Sequence, residues 1–317
     1  MDSWTTAAQR AAWALGFLLG ACSGVGGEGD EGAVAEGGGG PEGHSGIHLS
    51  AHGGFAGPAL STSGPSSPRL LPDSGLTLIA VGPHDREPGT GGEGWTGGWR
   101  APSFDNASIH RDEDADPPFD AFIRTRYPEG LRDGRGPVHW YGWHEDGPFT
   151  EFRHVRIEKW MRIGGDRRDF ESHPAGTKLG FLGAGACDGV RAELYPLLEG
   201  GLRDRFQVRV VQQFLDRKNM TQNARRDRVV QAGRWQRWEY ELILNEIGRS
   251  DGVMRVEVDG RRIIDYNDVR YRDREHPCGL QVWRWNPTWG GSSNDVKSRD
   301  DDIDIAEVRI WGEPLQR

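Results

Sequence analysis

The chain has 317 residues and a formal net charge of −9, enough for one large domain or two ordinary ones. It is rich in glycine (47) and tryptophan (13), and its mean hydropathy is too polar for a polytopic membrane protein. Its mild acidity lacks the clustered positive charge that drives non-specific nucleic-acid binding, so no nucleic-acid partner is expected.

At the N-terminus, Arg10 precedes the apolar run Ala11 to Leu19, which is too short to span a bilayer. The run closes on Leu19-Gly20-Ala21-Cys22, with Leu at −3 and small residues before a cysteine. This pattern resembles the lipobox of bacterial lipoproteins. Residues 1–22 are therefore read as a lipoprotein signal peptide with Cys22 as the lipidated residue. The alternatives are a signal cleaved without lipidation, or a short buried helix. Ser23 after the cysteine points to outer-membrane sorting. The expected location is the cell envelope, lipid-anchored, or the secreted fraction, with membrane contact through the N-terminal anchor only. Cys187 and Cys278 then remain as an even pair in an oxidising compartment; they form a disulfide or stay as two buried thiols.

Residues 23–75 are rich in Gly, Ser, Pro, Ala and Glu and poor in large aliphatic and aromatic side chains. Such a segment cannot bury enough apolar surface to offset its ordering entropy, so it is expected to be a disordered tether. Its Gly24 to Gly43 part is the more flexible and its Pro58 to Pro72 part the stiffer.

The domain is placed at 76–317, opening near Leu76-Thr77-Leu78-Ile79-Ala80-Val81. Short alternating runs bounded by Gly, Pro, Asn and Asp read as strands: Phe152 to Trp160, Arg205 to Phe214, Gln236 to Leu244, Val253 to Val258 and Leu280 to Trp285. Asp259-Gly260 predicts a tight hairpin turn before Arg261 to Asp265. Residues 83–136, rich in Gly, Pro and Asp, are expected to form long loops around sparse strands. Ten or more strands and little helical periodicity predict an all-β fold, an antiparallel two-sheet β-sandwich or jelly roll in one domain.

Several motifs narrow this further. Gly233-Arg234-Trp235 leads through a strand to Leu244-Asn245, and Asp251 to Gly260 forms an Asp-Gly-bounded hairpin strand. Arg270-Tyr271-Arg272 and Trp289-Gly290-Gly291 follow, while Tyr127-Pro128-Glu129-Gly130 and Gly176 to Leu182 precede. From roughly Phe119 onward the chain resembles concanavalin A-like jelly rolls, and especially the fourteenth family of polysaccharide lyases, which includes alginate and glucuronate lyases. The resemblance implies an extracellular polysaccharide partner, acidic in kind, and cleavage by β-elimination. It also implies functional roles for Lys178, in Gly-Thr-Lys-Leu, and for Arg191.

That chemistry needs a cation or amide to neutralise the uronate carboxylate, a base for the C5 proton and an acid for the leaving oxygen. The family's acid–base tyrosine pair falls on the strand that is Phe206 to Phe214 here, which has no tyrosine. Tyr195 and His154 are the candidates in its place. A curved sheet would line a groove with alternate side chains, and Arg209, Gln213, Arg284 and Trp285 are the expected substrate-binding groups; arginine suits carboxylates and aromatic faces suit sugar rings. The competing reading treats these as ordinary solvated strand faces with buried tryptophans, and Lys178 as a strand lysine whose stem packs on its neighbours. A non-catalytic envelope or structural lipoprotein is the alternative from another class.

Asp302-Ile303-Asp304-Ile305-Ala306-Glu307 also resembles the carboxylate strand of laminarinase-type glycosidases, with Asp302 where a glutamate nucleophile would stand. In the lyase-like reading this is the last strand, closing the sheet. Asp300-Asp301-Asp302 offers hard oxygen ligands for Ca²⁺, against a solvated loop; no other cofactor or metal is expected, and no H-E-x-x-H or G-x-S-x-G motif occurs.

Overall fold

The computed structural model describes residues 75–82, 100–112, 119–142, 151–185, 192–222, 228–291 and 293–316. The signal, Cys22, nearly all of the tether, Cys187 and Arg191 lie outside the described residues. Those described form an all-β fold with antiparallel pairing throughout and no helix.

The strands, in order, are β1 (Thr77–Gly82), β2 (Arg100–Ser103), β3 (Ala107–Asp112), β4 (Phe119–Tyr127), β5 (His139–Gly142), β6 (Phe152–Ile163) and β7 (Phe170–Glu171). Next come β8 (Thr177–Lys178), β9 (Phe181–Gly185), β10 (Ala192–Glu199), β11 (Leu202–Arg203), β12 (Arg205–Phe214), β13 (Asn219–Thr221) and β14 (Val230–Gln231). The series ends with β15 (Trp235–Ile243), β16 (Gly252–Val258), β17 (Arg261–Val269), β18 (Cys278–Trp285), β19 (Thr288–Trp289) and β20 (Asp301–Pro314).

Pairing sorts them into two layers. In the first sheet β17, β16, β15, β6 and β20 lie side by side. The first half of β20 continues to β4 and its second half to β1, with β3 beyond β4. In the second sheet the order is β2, β5, β18, β9, β10, β12 and β13, with β8 beside β10 and β19 beside β8. The layers touch through a Leu280–Phe152 pairing.

Period-two alternation explains why they stack. On β6, Val155, Ile157, Met161 and Ile163 are buried; on β12, Phe206, Val208 and Val210 are buried while Gln207, Arg209, Val211 and Gln213 are half-buried on the other side. The inward sets, with Leu194, Leu198, Trp283, Trp285, Ile303, Ile305 and Ile310, make one continuous core. Asp259 and Gly260 both take positive φ (52° and 74°), the geometry of the hairpin turn their sequence predicts, and the Asp259 carboxylate accepts from the Arg237 N–H. Of the 83–136 segment, expected to hold long loops around sparse strands, residues 83–99 and 113–118 lie outside the described residues, and the described part holds β2, β3 and β4. Their arginines, aspartates and short register hide the alternation, but Phe119, Ala121 and Ile123 are buried.

Candidate functional site

The second sheet turns one face to the core and the other outward, and the outward face collects the polar set. Lys178 is the final residue of β8, opposite Leu197 of β10. Its ammonium lies 5.0 Å from the centroid of the Tyr195 ring and 5.9 Å from that of Phe181, whose rings are themselves 5.5 Å apart. Both rings offer their π-systems to the cation. Burial lowers the Lys178 pKa, opposed by the charges of Glu193 and Asp133.

Tyr195 is largely buried, and burial raises its pKa while a hydrogen bond with the Gln213 side chain and the charge of Arg209 pull the other way. Its phenol therefore stays protonated at neutral pH. Glu193 and Gln213 face each other across β10 and β12, as do Leu197 and Arg209. Arg209 pairs with Glu199 at 2.8 Å, and Arg284 of β18 pairs with Glu193 at 3.0 Å. His139 of β5 is near Arg284 in charge terms; burial first, and that charge second, lower its pKa to about 4, so the imidazole is neutral.

The loop after β19 walls the lysine end. Asp133 accepts hydrogen bonds from the N–H groups of Gly291 and Ser293. It also lies 3.1 Å from Nε2 of the buried His173, whose Nδ1 accepts from the Ala175 N–H. A Cβ at Gly290 would strike Asp133 and His173, and one at Gly291 would come within 3.0 Å of the Lys178 ammonium. Gly290 is thus required by close approach, and Gly291 by its positive φ of 125°.

Of the residues expected from sequence, Lys178, Tyr195, Arg209, Gln213 and Arg284 share this face. Trp285 does not: it is fully buried, and its indole N–H donates to Thr125 Oγ1. Alternation forces the outcome, because a strand that points Arg284 outward points Trp283 and Trp285 inward. His154 does not either. It lies on the outward face of the first sheet, 3.1 Å from Glu241, because Val155 and Ile157 beside it face the core. Arg191 lies outside the described residues. Cys278 is disulfide-bonded; Cys187, its expected partner, lies outside the described residues.

The carboxylates of the glycosidase-like motif stand on β20 in the first sheet. Asp304 is fully buried between Arg124 (2.8 Å) and Arg162 (2.8 Å), and Glu307 pairs with Arg309. Those engagements match an ion-pair network better than a nucleophile and acid. Asp300 pairs with Arg126, and Asp301 with Lys297 and Arg299. Among the described residues no group of three or more acidic, histidine or cysteine side chains is arranged to hold a metal.

Phe181, His139, Asp133 and His173 were not singled out from sequence. Phe181 sits in the Gly176 to Leu182 motif, three residues after Lys178, and that proximity was the available signal. His139, on β5, and Asp133 and His173, on connections, carried none.

No protein-family model matches the chain, and no curated protein matches it. Solved structures do. The alginate lyase Aly36B superposes with a TM-score of 0.52 at 12% identity, covering 69% of this chain and 88% of that one. A variant of Aly36B in complex with alginate trisaccharide gives 0.50 at 12%, covering 69% and 98%. The PL-14 alginate lyase from Aplysia kurodai gives 0.50 at 13%, covering 68% and 90%. At such identities the likeness establishes the jelly-roll fold of these lyases.

Proposed function

We propose that this protein binds a uronate-containing polysaccharide on the outward face of its second sheet and cleaves it by β-elimination. The supporting observation is the convergence of Lys178, Tyr195 and Gln213 on one face of the second sheet within a lyase-like fold. Two of the three tasks have a group in place. Lys178 is a cation able to neutralise the uronate carboxylate and so ease loss of the C5 proton. Tyr195, kept protonated by burial, is suited to give its proton to the leaving oxygen. Taking the C5 proton requires a base, and His139 is a neutral, weakly basic imidazole on the same face.

The test is absorbance near 235 nm, which reports the unsaturated product, across alginate, polyglucuronate and mixed glycans. Product should form with at least one of them, and Lys178→Ala should reduce turnover at least a hundredfold while leaving the thermal midpoint nearly unchanged. Absent product across the panel, with retention on a glycan gel, would favour the second reading, a binding protein without catalysis. The lack of a tyrosine on β12 favours that reading. We propose further that Cys22 carries lipid and holds the domain at the cell envelope; the mass of the mature N-terminal peptide decides it.

A further inference from the structure

Among the described residues the charges of the outward face largely pair off, although its glycan is expected to be charged. Arg284 is held by Glu193 and Arg209 by Glu199, each within 3.0 Å. Among the described residues Lys178 has no carboxylate within ion-pair distance, and its nearest acidic neighbours, Glu193 and Asp133, act on it at longer range. Asp133 is occupied by the loop N–H groups and His173. The exposed Arg132 and Arg135 belong to the bordering loop rather than to the strands of the floor.

From this pattern we infer that the site takes one isolated uronate, and that its substrate is a heteropolysaccharide in which uronates are separated by uncharged sugars. The inference rests on the reading above that this face handles uronate glycans. A homopolyuronate would bring a carboxylate to every sugar. Those flanking the Lys178 position would lie against Glu193 and Glu199, and binding would have to draw each arginine from its partner at a desolvation cost. Uncharged sugars meet no such conflict. The paired glutamates still accept, and the paired arginines still donate, hydrogen bonds to hydroxyl groups. Like-charge opposition of this sort is how a site rejects a near-relative of its substrate.

The experiment compares kcat/KM, read at 235 nm, on polymannuronate, polyguluronate and polyglucuronate with that on hyaluronan, unsulfated chondroitin and gellan, which space their glucuronates with uncharged sugars. At least one spaced glycan should exceed all three homopolymers by tenfold or more. The double variant E193Q/E199Q should raise the homopolymer-to-spaced ratio at least tenfold, and E199Q alone, the more exposed change, should move it in the same direction. Equal or better turnover of a homopolymer, or an unmoved ratio in folded variants, overturns the inference and leaves β-elimination standing. If no glycan yields unsaturated product, β-elimination fails instead, and retention on immobilised glycans carries the test. Preference for a spaced glycan then supports the inference; equal retention, homopolymer preference or no retention overturns it.

Discussion

Lys159 lies in the interior of the sandwich, fully buried, with its ammonium 4.8 Å from the Trp285 ring, 5.1 Å from Tyr240 and 5.6 Å from Trp283. Among the described residues no hydrogen-bond acceptor reaches it, and burial lowers its pKa to about 7. The ring faces recover part of the lost hydration, about 2 kcal/mol or more for a desolvated contact. The fall of the Lys159 pKa to about 7 means that the loss of hydration still outweighs that recovery. Lys159→Met should therefore stabilise the fold by roughly 1–3 kcal/mol, seen as a higher midpoint in urea at pH 7. The sign with pH follows. Between about pH 7 and 10.5 the unfolded chain holds this proton and the folded chain does not, so wild-type stability should rise across that window. The variant should lack that rise. Lys297 is equally buried but paired, 2.6 Å from the fully buried Asp301 and 3.3 Å from Glu171. The same change to methionine there should cost about 3 kcal/mol, because Asp301 keeps its charge and loses its main partner.

One element end shows how a turn is locked. Asn245, past the end of β15, is fully buried, and its amide donates to the carbonyl oxygens of Glu246, Arg249 and Arg272. Its side-chain oxygen accepts from the N–H groups of Tyr271 and Arg272. One side chain thus joins the β15–β16 turn to the segment after β17. Asn245→Ala should lower stability by about 2–4 kcal/mol by leaving buried backbone groups unpaired, measurable as a shift in denaturant midpoint at unchanged slope. Asn245→Asp, which keeps the acceptor and loses the donors, should not rescue it. The Leu244-Asn245 turn was visible in sequence as a motif, but its three bonds to Tyr271 and Arg272 were not, since those partners lie on a different connection. The same limit explains His154 and Trp285. Alternation states which residues of a strand share a face, and so Arg209 and Gln213 were legible together. It does not state which strands share a sheet, so His154 was grouped with residues of the opposite layer. For Trp285 alternation itself gave the answer, because Arg284 and its neighbour cannot point the same way.

At the scale of the molecule, the fold class was legible because short β-rich runs, turn residues and the Asp259-Gly260 hairpin agree with one another. The pairing order was not, since it depends on contacts between distant segments. A disulfide adds to those contacts. Cys278 is bonded, and with Cys187 as the proposed partner the closed loop holds roughly 90 residues, for which chain-entropy arguments give about 4–5 kcal/mol. Reduction should lower the thermal midpoint, and a Cys187–Cys278 peptide should appear in a non-reducing digest; its absence would assign Cys278 another partner. The central place of β20 has a consequence for synthesis. It lies between β6 on one side and β4 and β1 on the other, all of which leave the ribosome well before it. Until it is made, three bare strand edges wait for a plank that does not yet exist, and the nascent chain must be kept from pairing with its neighbours in the meantime.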